Sequence, residues 1–282
     1  MKNIAYICLP LFLGACAGGG SSGGGSTAST TPFTTFSAIA PNSTVQSTGG
    51  STQFTYTSSA AVSNGQSISG ATLTTKYDAS TTPTSISIQS AQGASVSINT
   101  AIGDTISTSG GVILGASKDT ATNIIVSTGF EYQSFGVWAA GAGAGTAGAF
   151  SVGSPTAVAN IPTSGTASFA GKSFGVYGSA GSVYSTLADM TASVNFSNRS
   201  IMFTTANTIN NDTKASVSGL NLIGSFAYNA GSATFSGGVV SISGMSGVGL
   251  GQFYGPAANE IGGTVSLSGS NGVFTGSFGG KR

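Results

Sequence analysis

The chain has 282 residues, of which only 5% are charged, and it carries a formal charge of +1. It contains 45 glycines and no histidine, which removes histidine-based triads, zinc sites and haem ligation together. A near-neutral chain with no basic face is a poor ligand for nucleic acid, and its Gly-, Ser- and Thr-rich composition reads as turn-rich β structure.

Met1 and Lys2 precede an apolar run from Ile4 to Leu13, too short to span a bilayer as a helix. The run ends in Leu13-Gly14-Ala15-Cys16, which resembles the lipobox of bacterial lipoproteins. That resemblance implies a signal peptide over 1–15, diacylglycerol on the Cys16 thiol and attachment to a membrane through lipid. Cleavage would remove Cys8 and acylation would use Cys16, so no disulfide is expected. Residues 16–32 then form the acylated cysteine and a Gly/Ser linker, about 20–24 Å long as a flexible coil. Ala17, not aspartate, follows Cys16, which by the enteric lipoprotein sorting rule implies the outer membrane.

From 33 to 158 the pattern is short and alternating. Segments 53–57, 69–77, 85–89, 95–99, 123–128 and 132–139 read as half-buried or buried strands. Residues 143–148 match GxGxxG, yet no helix and no nearby acid follow, so a dinucleotide site is not expected. The stretch 140–148 is expected to be a hairpin tip or a strap between domains, with loop continuing to Pro155 and Pro162.

From 159 onward eight strands are expected, near 165–178, 189–196, 199–207, 214–228, 232–243, 246–254, 260–268 and 272–280. Turns such as Asn229-Ala-Gly231 and Asn271-Gly272 separate them. Gly171, Gly237 and Gly238 are expected to mark bulges or bends. Eight antiparallel strands with tight turns suit a closed up-and-down barrel. The fold class is therefore all-β: a β-rich handle-like domain over 33–158, then an eight-stranded antiparallel barrel over 159–282.

The sequence Gly251-Gln-Phe253-Tyr254-Gly255-Pro256, with Glu260, Gly262 and Gly263, then Gly276-Ser-Phe-Gly279-Gly280-Lys281, resembles the C-terminal signature of the transferrin-binding protein B barrel. Gly165 to Gly171 resembles that barrel's first strand. Tyr132-Gln-Ser-Phe135-Gly136-Val-Trp138 is similar to the single-lobe relatives called transferrin-binding-protein-like solute-binding proteins. The resemblance implies a surface-exposed Gram-negative outer-membrane lipoprotein, related to proteins that capture host iron or haem carriers or complement factor H, and often displayed with a dedicated assembly modulator. This chain departs from full transferrin receptors in having one lobe and few charges.

The expected function is binding of an extracellular protein or small solute, with no catalysis, no cofactor and no metal. Candidate contacts are Tyr132, Phe135, Trp138, Tyr177 and Tyr184, since aromatic residues dominate interface hot spots. Each also fits plain core packing. The competing expectation is a passive structural or adhesive envelope lipoprotein without a dedicated ligand. Glu260 is expected to lock a tight corner by accepting backbone N–H groups. It and Glu131 are the two glutamates, and they fall in different expected domains.

Overall fold

The computed structural model describes residues 30–32, 35, 39–270 and 272–282. The signal peptide, Cys16 and most of the linker lie outside them. Ten strands form the first sheet: β1 (Thr30–Pro32), β2 (Thr44–Tyr56), β3 (Ala61–Tyr77), β4 (Pro83–Gln89), β5 (Ser95–Asn99), β6 (Thr105–Ser109), β7 (Val112–Ala116), β8 (Thr122–Ser127), β9 (Gln133–Ala140) and β10 (Gly145–Gly153). The second sheet is a closed barrel of β11 (Thr166–Ser179), β12 (Ser182–Asn195), β13 (Ser200–Asn210), β14 (Leu222–Ala227), β15 (Thr234–Ser241), β16 (Ser246–Tyr254), β17 (Glu260–Gly269) and β18 (Gly272–Lys281). Helical structure among the described residues is confined to three-residue 3-10 turns such as Thr100–Ile102.

The barrel strands pair in sequence order, and β18 closes back onto β11 from Ala170↔Lys281 to Gly178↔Val273. Closure leaves no unpaired edge, which a chain this poor in lysine would struggle to protect. The interior is filled: Phe203, Phe226, Phe253 and Phe278 are at most 2% exposed and pack with Met190, Val194 and Ile261. Phe203 and Phe278 lie 4.6 Å apart between ring centroids. This barrel is a packed core and not a channel.

The first sheet runs β5-β4-β3-β2-β10-β9-β8-β7-β6, with β1 parallel to β2. It curls until its two ends nearly meet, enclosing Leu73, Ile86, Ile88, Ile98, Trp138 and Phe150. Asp104 fastens this closure. Its carboxylate accepts the N–H of Asn99 at 2.8 Å and of Lys118 at 2.9 Å, joining the end of β5 to the β7–β8 turn. Asp104→Ala strands two backbone donors and is expected to lower stability by about 1–3 kcal/mol, read as a drop in urea midpoint with unchanged slope.

Two sequence expectations need correction. Residues 145–153 are not loop: β10 sits between β2 and β9 in the middle of the sheet, and only 141–144 form the turn. Its small residues are there because both faces are covered; a side chain at Gly148 would overlap the Trp138 indole. Gly171, Gly237 and Gly238 are not bulges either, since pairing runs through all three in register. A Cβ at Gly171 would overlap the Gly279 carbonyl, and one at Gly237 the Ser225 carbonyl. The barrel's register shift falls instead between Leu187 and Asp189.

Candidate functional site

β9 and β10 are buried on both faces, so their side chains alternate between the first sheet's interior and the barrel's outer wall. Phe135, Val137, Ala147 and Ala149 face the barrel and meet Phe174, Val176 and Val273 there. Trp138, Phe150 and Val152 face the other way. Phe135 stacks on Phe174 at 5.5 Å and meets Phe130 edge-on at 5.2 Å.

The barrel accepts this face because its wall carries glycines where the handle side chains arrive. A Cβ at Gly279 would overlap the Phe135 ring, and one at Gly262 would overlap the Gln133 amide. A Cβ at Gly255 would come within 2.6 Å of the Tyr132 ring, and one at Gly178 within 2.5 Å of Phe54. Gly255 also has φ of +83°, which only glycine adopts at little cost. Three of the four residues 132–135, Tyr132, Gln133 and Phe135, are thus seated by three glycines of the C-terminal signature.

Polar bonds complete the joint. Glu260, 3% exposed, accepts the N–H of Glu131 on Oε1 at 2.8 Å and the N–H of Tyr132 on Oε2 at 3.1 Å. Gln133 donates from Nε2 to the Ile261 carbonyl at 3.0 Å. Ser277 donates to the Gly136 carbonyl at 2.9 Å, and the hydroxyls of Ser151 and Tyr254 lie 2.8 Å apart. Burial pushes the Tyr254 phenol up to about 12, so it remains a neutral partner. The corner-locking role expected of Glu260 takes a different form: the carboxylate joins the 131–132 backbone to the barrel. Glu131, expected to be remote, meets it through its own backbone N–H. Burial raises the Glu260 pKa, opposed by the hydrogen bonds from Glu131 and Tyr132 and by the Lys281 charge.

Beside the joint lies a crevice of about 430 Å³ between the first sheet and the barrel. Its apolar lining includes Ile125, Val137, Val176, Val183 and Leu114, the last 44% exposed. Its rim carries Thr105, Ser107, Asn123, Asn211 and Asp212. A smaller cleft of about 330 Å³ shares Asn123 and Val183 with it and reaches Asp119 and the 141–143 turn.

The aromatic candidates separate on this geometry. Phe135 and Trp138, 0% and 1% exposed, are core residues. Tyr132 is half-buried over Gly255. Tyr177 and Tyr184 pair across β11 and β12 with rings 5.3 Å apart at one end of the barrel, and Tyr184 reaches the crevice. Of the signature, Phe253 lies in the barrel core, Pro256 in an exposed turn, Gly263 against the backbone of Leu250 and Gly251, and Gly280 against the Met190 and Phe169 side chains. Sequence reasoning missed the polar crevice residues, because Ser, Thr and Asn are spread along the whole chain. Among the described residues no three acidic or thiol side chains group as a metal site, and no helix is long and apolar enough to cross a membrane.

Residues 161–282 match the family described as the C-lobe and N-lobe beta barrels of Tf-binding protein B. A variant of transferrin binding protein B from Haemophilus parasuis superposes with a TM-score of 0.54 at 16% identity, covering 83% of this chain and 45% of that one. The chain has a transferrin-binding protein B-like fold. The isotype 1 protein from Neisseria meningitidis gives a TM-score of 0.47 at 18% identity, covering 82% and 43%. The chain spans less than half the length of either protein. No curated protein matches it in sequence. In this fold, the joint accounts for Gly255, Gly262 and Gly279 of that signature.

Proposed function

We propose that this chain is an outer-membrane lipoprotein, held by lipid on Cys16 and displayed at the cell surface, that binds an extracellular protein. Its domains are 33–158 and 159–282, and it performs no catalysis. The observation that carries the reading is the joint: the first sheet packs on the barrel through Glu260 and the glycine sockets, while the barrel interior is filled. A ligand therefore meets outer surface, loops or the crevice. Relatives of the same fold are named for binding transferrin, which makes an iron-carrying protein the first ligand class to try.

The test is protease shaving of intact cells, with a periplasmic protein as control, followed by capture of purified iron carriers on the mature chain. Cleavage without lysis and saturable binding at micromolar or better affinity are the expected results. Cleavage only after lysis overturns surface display. The near-neutral composition favours a second reading, a passive hydrated coat; it prevails if the chain is shaved from intact cells and no carrier binds.

A further inference from the structure

We infer that the groove between the first sheet and the barrel binds a long aliphatic diammonium ion, a free polyamine, with one ammonium at Asp212 and the other at Asp119. The site is additional to protein capture and does not depend on it.

The groove has two parts. The crevice of about 430 Å³ and the cleft of about 330 Å³ share Asn123, Ala139 and Val183, so one runs into the other. β12 gives its direction. Gly181 and Ser182, at the turn into β12, line the cleft, while Tyr184 and Ser185 line the crevice. Val183 lies between them and belongs to both. A strand rises about 3.3 Å per residue, so the step from Ser182 to Ser185 covers about 10 Å.

Each part holds one carboxylate and one tyrosine. Asp212 and Tyr184 line the crevice, and Asp119 and Tyr56 line the cleft. The Asn211 N–H is bonded to the Ser185 carbonyl at 2.8 Å, which sets the neighbouring Asp212 beside Ser185. Asp119 is held in the turn between β7 and β8, where its Oδ1 accepts from the Ser117 hydroxyl and the Ala121 N–H. Among the described residues neither Asp119 nor Asp212 forms a salt bridge. Of the neighbouring cations, the Lys118 stem lies against Gly103 and the Lys214 ammonium is bonded to the Asn211 carbonyl. No lysine or arginine lines either part, so an anion finds no partner there.

The stretch between the acids is apolar, with Val137, Ala139, Val176 and Val183. Two carboxylates this far apart suit a long ion with a charge at each end, not a compact one. A methylene chain gains by leaving water for such a lining. Its ammonium ends stay at the wet rims and meet a carboxylate and a tyrosine ring at each.

The probe is 1,7-diaminoheptane on the full mature chain, compared with heptylamine, 1,3-diaminopropane and 1,12-diaminododecane. Binding is read from the methyl NMR signals of Ala139 and Val183. Diaminoheptane is expected to shift both saturably and to bind at least ~3-fold tighter than heptylamine, the gain from a second exposed ion pair. Added salt should shrink that ratio. Diaminopropane, which cannot reach both acids and buries fewer methylenes, should bind at least ~10-fold more weakly. Diaminododecane should bind no tighter than diaminoheptane. Asp212→Asn, and Asp119→Asn, which keeps the Oδ1 acceptor of its turn, should each bring the ratio to heptylamine below ~2.

Unmoved Ala139 and Val183 signals overturn the inference, as does equal binding of heptylamine and diaminoheptane. Affinity that keeps rising to diaminododecane marks apolar adsorption and overturns it too. So does a diamine preference that survives in both folded Asn variants, judged by unchanged urea midpoints. Tighter binding of acetyl-Lys-Ala-Lys-amide than of diaminoheptane would replace the free polyamine by the lysines of a protein, and also overturns it.

Discussion

Gly279→Ala is expected to cost about 3 kcal/mol of stability, the upper end of the range for overpacking. The added methyl would overlap the Phe135 ring, which cannot retreat: Phe135 is fully buried between Phe130 and Phe174. Phe135→Ala is expected to cost about 3–5 kcal/mol through the cavity it leaves. Together the two changes should cost less than their sum by about 1 kcal/mol or more, since the new methyl enters the vacated space. Gly238→Ala is the control. Gly238 lies in a barrel strand as well, yet nothing stands within 4 Å of where its Cβ would be. It should stay within about 0.5 kcal/mol of wild type. Trp138 is the single tryptophan and sits inside the first sheet, so its fluorescence reports the handle while circular dichroism reports both sheets. Coincident urea transitions are expected for the wild type, because the joint couples the sheets. Equal midpoints for the Gly279 and Gly238 variants would remove the socket argument.

The barrel was legible in the sequence because its strands alternate cleanly, with one face filling the interior and turn residues between them. Its limits were misplaced where two-faced burial or local turns intervened. β12 begins at Ser182, earlier than expected, because the alternation there includes the half-buried Tyr184. β14 begins only at Leu222, because the residues before it form the 3-10 turn Ser218–Leu220. The mid-sheet strand β10 was illegible for a stronger reason. A strand packed between two layers needs small residues on both faces, and Gly-Thr-Ala-Gly-Ala then reads as flexible chain. The joint is the part that no local pattern reveals. Tyr132-Gln-Ser-Phe135 and the C-terminal glycines stand more than a hundred residues apart, and nothing in either stretch says that it packs on the other. Each glycine looks like a turn or bulge until the side chain that occupies its missing Cβ is known. The crevice is equally hidden, because its lining comes from strands far apart in sequence.

Glu260→Gln is expected to destabilise the chain by about 1–3 kcal/mol, because a Gln side chain has one acceptor oxygen for the two N–H donors of Glu131 and Tyr132. The pH dependence of that loss distinguishes burial from hydrogen bonding. Burial raises the Glu260 pKa above its ordinary 4.5 and outweighs the bonds from Glu131 and Tyr132. The folded chain therefore holds this proton more tightly than the unfolded chain. The stabilisation is complete below the ordinary value and is lost as pH rises through the window between it and the raised value. Asp119 and Asp189 act oppositely. Hydrogen bonding, from Ser117 to Asp119 and from Asn207 to Asp189, lowers their pKa values, so their contribution is lost as pH falls below 3.8. Subtracting the Glu260→Gln melt from the wild-type melt at each pH cancels both. The wild-type advantage should be largest in acid, shrink just above pH 4.5 and then level off. An advantage that grows with pH over that window would mean that the two N–H bonds outweigh the cost of burying the charge. Glu260 would then be a net stabiliser when ionised, and the joint would hold most firmly at neutral pH.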